Sequence, residues 1–400
     1  HDVADNPGGA DGLPTEVELQ CDTSGLIRYA ARTDDGTDFG AVARVMPFGA
    51  AGSTAAPTLE HSEQGVHVEG AARVIIVVKL FVQGKRLSAW RELTRQLESA
   101  DMDYNALLVP HALEHGELFN RVTIDLGASD RDHDRSNEEL LLDAYEGEAP
   151  VALVEKLWAY GRYLLISSSR PGGQPCPLHG KWSGSYRGMW TFHMVNENLQ
   201  MIYWQALSGM LAETVLPMFD YFDRLMDDFR ENARKLYGCR GIYIPGPSTP
   251  ASGLLKTIAP HIIHWTGGAA WVAQHYYDYY LYTGDRTFLR DRALPFLRET
   301  ARFYEDFFTI GDDGFFVSAP SNSPENSPEN YANGQKMGSA MPTTINATMD
   351  FALAKEVLTH LLELCETLKI PEPNSPRWRD MLARMPEYLT DDLGALKEWA

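Results

Sequence analysis

The sequence has few cysteines, fewer basic than acidic residues, and no long apolar run. Its four cysteines are widely separated and form no CxxC pair, which argues against a disulfide framework or a zinc site. Lysine and arginine total 35 against 55 acidic residues, which gives a formal charge of -20. Because phosphate neutralisation requires clustered basic side chains, no nucleic-acid partner is expected. No apolar run reaches the roughly 18–20 residues of a membrane span, so no membrane association is predicted.

The 400 residues are enough for two domains, each with a sizeable core. The chain begins at His1 without a signal-peptide pattern and ends at Ala400 inside what reads as a structural element. We therefore expect it to be truncated at both ends, and the cellular compartment stays open.

The N-terminal part of the chain has the pattern of a β-structure. Apolar and polar residues alternate in short segments up to about residue 82, with turn signals between them, which predicts an antiparallel sheet or sandwich. Residues 87–119 then read as a helical insertion. Arg121–Gly127 (RVTIDLG) reads as a strand that returns to the sheet. A domain built on an antiparallel sheet or sandwich is therefore expected over residues 1–130, with an irregular α+β domain as the alternative, and a linker at 131–150 follows.

The helical insertion contains two histidines and a glutamate, but no metal site is predicted there. His111 and His115 are four residues apart and Glu114 lies between them, so they could share one helix face. A third ligand of suitable spacing is not evident. A surface face of the helix is the better interpretation.

From residue 151 onward, helical patterns dominate. Apolar segments recur with short turns between some of them and long loops at 170–195, 238–266 and 311–344 between others. Long loops in a compact domain are usually functional, and these are expected to gather at one end of a helical bundle. This alternation of short turns and long loops predicts an α/α toroid over 151–400, with a pocket formed by the long loops. A stacked helical-repeat scaffold is the alternative, although no fixed period is found.

Two asparagines, Asn196 and Asn198, precede an apolar helical segment. In an extended segment, residues two apart project to the same side, so the two carboxamides could hold one water or one sugar hydroxyl. The structural alternative is an N-cap, a position that asparagine favours. A cap explains only one of the two residues.

A second candidate is the loop 318–330, which contains SPEN twice, at Ser323–Asn326 and at Ser327–Asn330. Its prolines and serines prevent regular structure, and a carboxylic acid there could act as a proton donor. The alternative is a turn-rich loop with solvated glutamates. The duplication leaves the acid open between Glu325 and Glu329.

The ordered set of motifs resembles glycoside hydrolase family 95, which comprises inverting α-L-fucosidases and relatives that act on α-L-galactosides. The matching segments are YGRYLLISSSRPG from Tyr160, NENLQMIYW from Asn196, GGAAW from Gly267, YTGD from Tyr282, PSNSPEN from Pro320 and TMD from Thr348. The resemblance covers roughly residues 70–400. Any one of these motifs alone would be weak, whereas their order is specific.

The resemblance implies an N-terminal antiparallel β-sandwich, a helical linker and an (α/α)6 toroid barrel that carries the active site and is incomplete at the C-terminus. It implies that Glu325 is the general acid and that Asn196 and Asn198 position the attacking water. The catalytic base would be an aspartate after Ala400. Residues Trp190, Trp265, Trp271 and His179 are candidates for substrate binding.

The same resemblance implies an oligosaccharide or glycan substrate and no metal or organic cofactor. The oligomeric state stays open, and a secreted or periplasmic location would suit such an enzyme. Departures from the family pattern at 175–180 and 241–250 would line the sugar pocket, so the sugar stays open between L-fucose and an L-galactose-like residue. The rival interpretations are another α/α-toroid enzyme, such as a phosphorylase or lyase, and a non-catalytic carbohydrate-binding relative.

Overall fold

The computed structural model describes residues 14–33, 36–52, 54–63, 65–100, 103–183, 190, 192–256, 258–328 and 343–399. The chain divides into two compact units, one extending to Glu117 and the other beginning at Leu118.

The first unit is built on an antiparallel sheet, as the alternating pattern predicted. Four strands pair in the order β1-β2-β3-β6, and a separate hairpin joins β4 to β5. The strands are β1 Thr15–Cys21, β2 Leu26–Arg32, β3 Asp38–Phe48, β4 Thr58–Ser62, β5 Gly65–Glu69 and β6 Arg73–Gly84. Two helices follow, α1 Arg86–Ser99 and α2 Tyr104–Phe119, so the segment predicted as helical over 87–119 forms two helices.

Helix α1 covers one face of this sheet. Its Trp90 and Leu97 are buried with Leu26, Ala30 and Val42 of strands β2 and β3. Apolar side chains two residues apart point to the same face of a strand, and burying that face under the helix supplies the main stabilisation. The opposite face of β6 exposes a row of apolar side chains: Val74, Ile76, Val78, Leu80 and Val82.

The second unit is mostly helical, as the apolar spacing predicted. Its helices are α3 Asp130–His133, α4 Asn137–Glu146, α5 Val151–Ser168, α6 Asn198–Ser208, α7 Leu216–Arg224, α8 Met226–Tyr237, α9 Pro260–Ile263, α10 Gly268–Thr283, α11 Arg286–Phe288, α12 Leu294–Phe307, α13 Thr348–Leu368 and α14 Ser375–Ala383. Two-residue strands pair as β7 His193–Met194 with β8 Pro247–Ser248, and β9 Thr309–Ile310 with β10 Phe316–Val317.

Long helices α10, α12 and α13 pack around one continuous aromatic core. Tyr276 of α10 stacks on Phe296 of α12 with ring centroids 4.3 Å apart, and Phe219 of α7 contacts Tyr276 at 4.4 Å. Such ring pairs add specific geometry to the burial of large apolar surfaces. Among the described residues, no helix combines the length and apolar character needed to cross a bilayer.

Arg162 explains why a charged residue sits inside the apolar YGRYLL segment. The side chain is 2% exposed, and its guanidinium donates to the carbonyls of Leu118, Phe119 and Gly209 at 2.5, 2.8 and 2.5 Å. These carbonyls lie at the ends of α2 and α6, where backbone oxygens lack partners within the helix. The arginine therefore joins two helix C-termini inside the second unit.

Two sequence predictions of local structure are wrong. Arg121–Gly127 forms no strand, because its groups bond to side chains and loops instead. Arg121 binds Glu213 and the Met210 carbonyl, and the Leu126 N–H donates to Glu155. The apolar pattern of residues 199–218 predicts one continuous helix, but the helix ends at Ser208 and a new helix begins at Leu216, with a proline in its first turn.

Candidate active site

Asn196 follows strand β7, and the peptide before it is held on both sides. The Val195 N–H donates to the Gly246 carbonyl at 2.6 Å. The Val195 carbonyl accepts from Gln200 Nε2 at 3.2 Å and from the indole N–H of Trp265 at 3.0 Å. Because both polar groups of this residue are satisfied by fixed partners, the backbone leading into Asn196 has a defined direction.

The start of α6 separates the roles of the two asparagines. Asn198 is the first residue of the helix, and Glu197 occupies the N-cap with no side-chain capping bond. Neither asparagine therefore takes the capping role that was the structural alternative. The segment is also not extended through Asn198, so the argument that both side chains project to one side does not apply.

Glu325 lies on an irregular loop that is anchored on both sides. Before it, the backbone of Ser321 pairs with that of Thr344 through hydrogen bonds of 3.0 and 2.8 Å. Asn326, directly after it, donates to Glu398 at 2.8 Å, and the hydroxyl of Ser323, two residues before it, donates to the same carboxylate. The glutamate itself is exposed, so its carboxylate can meet a ligand.

The fold brings Asn196 and Glu325 together across 129 residues of sequence. Asn196 Nδ2 lies 3.5 Å from Glu325 Oε1, which is the outer limit of a hydrogen bond. The carboxamide oxygen of Asn196 is buried and has no hydrogen-bond partner among the described residues. A buried polar oxygen normally has a partner, so this one is available to a water or a sugar hydroxyl.

Asp350 lies in the first turn of α13 and is fully buried. Its carboxylate accepts from the hydroxyls of Ser318 at 2.8 Å, Ser321 at 2.5 Å and Thr266 at 3.1 Å. Burial raises the pKa of Asp350 to about 6, although the three hydroxyl hydrogen bonds act in the opposite direction.

The predicted substrate-binding residues lie in different environments. Trp265 is fully buried, and its indole N–H is used on Val195, so it lies in the core rather than at a surface open to a sugar. Trp271 is half-buried between Trp265 and the exposed Trp204. Trp190 is 44% exposed beside Phe192.

His179 lines a separate cavity of about 280 Å³ together with Trp182 and Gln205. Of the predicted site residues, the structure thus joins Asn196 and Glu325 by a direct contact. Glu329, the alternative acid, lies outside the described residues. Among the residues that are described, no group of three His, Cys, Asp or Glu side chains is placed to hold a metal ion.

Sequence reasoning assigned no role to Gln200 or Asp350. A signal for Asp350 exists: four and seven residues after it come Ala354 and Val357, both buried, so the aspartate falls on the apolar face of its helix. A lone carboxylate on such a face needs internal hydrogen-bond donors.

The chain is similar to several known proteins. The family model described as "Glycosyl hydrolase family 95 catalytic domain" matches residues 103–400. "Alpha-L-fucosidase 2" of Arabidopsis thaliana is 31% identical over 308 residues, which cover 74% of this chain and 35% of the relative. "Probable alpha-fucosidase A" of Aspergillus niger is 31% identical over 237 residues, covering 56% of this chain and 29% of the relative.

Two more distant proteins are also similar to this chain. "Kojibiose hydrolase" of Flavobacterium johnsoniae is 25% identical over 254 residues, covering 56% of this chain and 36% of the relative. A solved structure from the human microbiome, assigned as a kojibiose phosphorylase, superimposes with a TM-score of 0.63 at 13% identity. That match covers 96% of this chain and 48% of the other, and it shows likeness of fold. The chain spans about a third of the length of the curated relatives named here.

Proposed function

The chain belongs to glycosyl hydrolase family 95, and from this premise we propose that it is a glycosidase that removes a terminal α-linked L-fucose or L-galactose-like sugar from a glycan, with inversion of configuration. Two relatives at 31% identity carry the name of α-fucosidases, which supports the choice of sugar. No metal or organic cofactor enters the proposed reaction.

The contact between Asn196 and Glu325 carries this proposal. An inverting glycosidase needs a proton donor on one side of the glycosidic bond and a positioned water on the other. Glu325 would protonate the leaving oxygen, since its exposed carboxyl can reach a bound glycan. Asn196 would orient the water through a carboxamide oxygen that has no partner among the described residues. Asn198, the first residue of α6, is proposed to assist it.

A carboxamide orients a water but does not deprotonate it, so a second carboxylate is required as the base. In an inverting enzyme the two carboxyl groups stand about 6.5–9.5 Å apart to admit the water. We propose an aspartate after Ala400 as this base, as the resemblance implies. The half-exposed Trp190 and Trp271 and the exposed His179 are proposed to contact the glycan, whereas Trp265 would act from behind the site.

The complete architecture proposed is a β-sandwich over 1–130, a linker at 131–150 and an (α/α)6 toroid from 151. The exposed apolar row on β6 supports the sandwich, because a second sheet packed face to face would bury it. The likeness of fold to the microbiome structure is compatible with a toroid.

A different substrate is the second candidate. The 25% identical relative is named for hydrolysis of kojibiose, so an α-glucoside belongs among the substrates to be tried. A phosphorylase would depend on phosphate for turnover, and a lyase would release an unsaturated product.

The test is to incubate the full-length protein with aryl α-L-fucoside, aryl α-L-galactoside and kojibiose in phosphate-free buffer, following the first-formed anomer by NMR. Release of the β-anomer from an α-L-fucoside or α-L-galactoside supports the proposal and names the sugar. Release of the α-anomer contradicts inversion. Binding without turnover of any substrate would favour a carbohydrate-binding relative.

The acid is tested by Glu325→Gln with Glu329→Gln as the matched control. Glu325→Gln should lower kcat about 10²–10⁴-fold on a disaccharide, whose leaving group needs a proton. It should have far less effect on an aryl glycoside with an activated leaving group. Glu329→Gln should be mild on both, and the reverse pattern would move the acid to Glu329.

A further inference from the structure

Asp350 is a carboxylate buried with neutral partners. It is 0% exposed, and its three hydrogen bonds come from the hydroxyls of Ser318, Ser321 and Thr266. Burying a carboxylate is costly, and neutral hydroxyls compensate less than an arginine or lysine does. If this position contributed only packing, an apolar residue of similar volume would stabilise the fold more than an aspartate does.

On one side, Asp350 holds the loop that carries Glu325. Its Oδ2 accepts from Ser318 and Ser321, and Ser321 lies four residues before the glutamate. The Ser321 hydroxyl also accepts from the Ala347 N–H at 3.0 Å. One carboxylate oxygen thus fixes two points of a loop that has no regular structure of its own.

On the other side, Asp350 holds the segment behind Asn196. Its Oδ1 accepts from Thr266, the residue directly after Trp265. Trp265 donates to the carbonyl of Val195, the residue directly before Asn196. The two oxygens of one carboxylate therefore connect to the two chain segments whose side chains meet 3.5 Å apart at the surface.

We infer that Asp350 is a positioning residue. Through its hydrogen bonds with Ser321 and Thr266 it sets the distance between Asn196 and Glu325, and it does not touch the substrate. This inference rests on the proposed function for the kinetic consequences given below. Its structural consequence, a fixed distance between two side chains, is independent of which reaction the site performs.

The kinetic test removes the hydroxyls one at a time and leaves the carboxylate in place. Ser321→Ala should lower kcat on a disaccharide about tenfold and on an activated aryl glycoside less than about threefold, because it displaces the proton donor. Thr266→Val should lower kcat about equally on both substrates, because it displaces the residue that orients the water. Both should leave KM within about twofold, and Thr266→Ser, which retains the hydroxyl, should restore activity.

Two matched controls remove buried hydroxyls elsewhere. Ser168 is 2% exposed and donates to the Leu164 carbonyl within its own helix, and Thr300 is 1% exposed and donates to the Phe296 carbonyl. Ser168→Ala and Thr300→Val should change the two substrates by the same small factor. A purely structural role for Asp350 predicts that Ser321→Ala and Thr266→Val behave like these two controls, and that result would overturn the inference.

Crystal structures of Thr266→Val, Ser321→Ala and Asp350→Asn decide the matter without any activity. The Asn196 Nδ2 to Glu325 Oε1 distance should increase from 3.5 Å by about 1 Å or more in at least the Asp350→Asn protein. An unchanged distance in all three overturns the inference even if the enzyme is an active glycosidase. A widened distance in a protein that hydrolyses nothing retains the inference and refutes the proposed function.

Discussion

The buried Asp350 should make the stability of the second unit depend on pH in a specific direction. Its pKa is raised from 3.8 to about 6 in the folded protein. Between these two values the folded state holds a proton that the unfolded state has released. Stability from this group is therefore lost as pH rises from about 4 through about 6.

The size of the effect follows from the shift. One pKa unit corresponds to about 1.4 kcal/mol, so the whole shift corresponds to about 3 kcal/mol. About 2 kcal/mol of this falls between about pH 4.5 and pH 7.5, since the unfolded carboxyl is already mostly ionised at the lower value. The buried hydroxyls of Tyr237, Tyr243 and Tyr304 face Asp350, and burial raises the pKa of each, so they stay neutral in this range.

The assay is urea unfolding of the wild-type protein and Asp350→Asn at several pH values across this range. Tryptophan fluorescence reports mainly on the second unit, because eight of the nine tryptophans follow residue 118. The carboxamide introduced by Asp350→Asn does not titrate, so the free energy of unfolding of the wild type relative to the variant should fall by about 2 kcal/mol from about pH 4.5 to pH 7.5. Asp392→Asn, at an exposed position, is the control that should retain the wild-type slope.

A wild-type-minus-variant difference that stays constant with pH would refute the reasoning. It would mean that Asp350 is ionised in the folded protein across the whole range. A difference that grows with pH would show that the hydroxyl donors outweigh burial and hold the pKa below its usual value.

Further stability predictions concern residues away from the site, each measured by urea unfolding. Arg162→Met should cost about 3–5 kcal/mol, because three backbone carbonyls, one buried and two partly buried, lose the guanidinium that donates to them. A loss below about 1 kcal/mol would contradict the proposed junction of helix ends. Gly241→Ala should cost more than about 2 kcal/mol, because φ is +73° and the new Cβ would lie 2.2 Å from the Glu299 carbonyl oxygen. Gly238→Ala is the control: its φ is +69°, but no atom lies near the new Cβ, so the cost should be about 1 kcal/mol. Ser136→Ala should cost about 1 kcal/mol through loss of a capping box, and no loss would contradict that geometry.

Local patterns in the sequence determined most of the secondary structure. Alternation of apolar residues predicted β2 and β3, and helical spacing predicted α5, α10 and α13, because side-chain periodicity follows directly from backbone geometry. The prediction failed at Arg121–Gly127, where a strand-like pattern is satisfied by distant side chains. Hydrogen bonds to side chains that are remote in sequence cannot be predicted from the residues of a short segment alone.

The motifs also identified Asn196 and Glu325 as site candidates, and their order along the chain identified the family. Only the tertiary structure placed the two side chains 3.5 Å apart, because they are separated by 129 residues. Only the tertiary structure showed that Trp265, a candidate for substrate binding, lies in the core. It alone showed that Asp350 connects to both segments, since hydrogen bonds spanning 29 to 84 residues depend on how helices and loops pack rather than on local sequence.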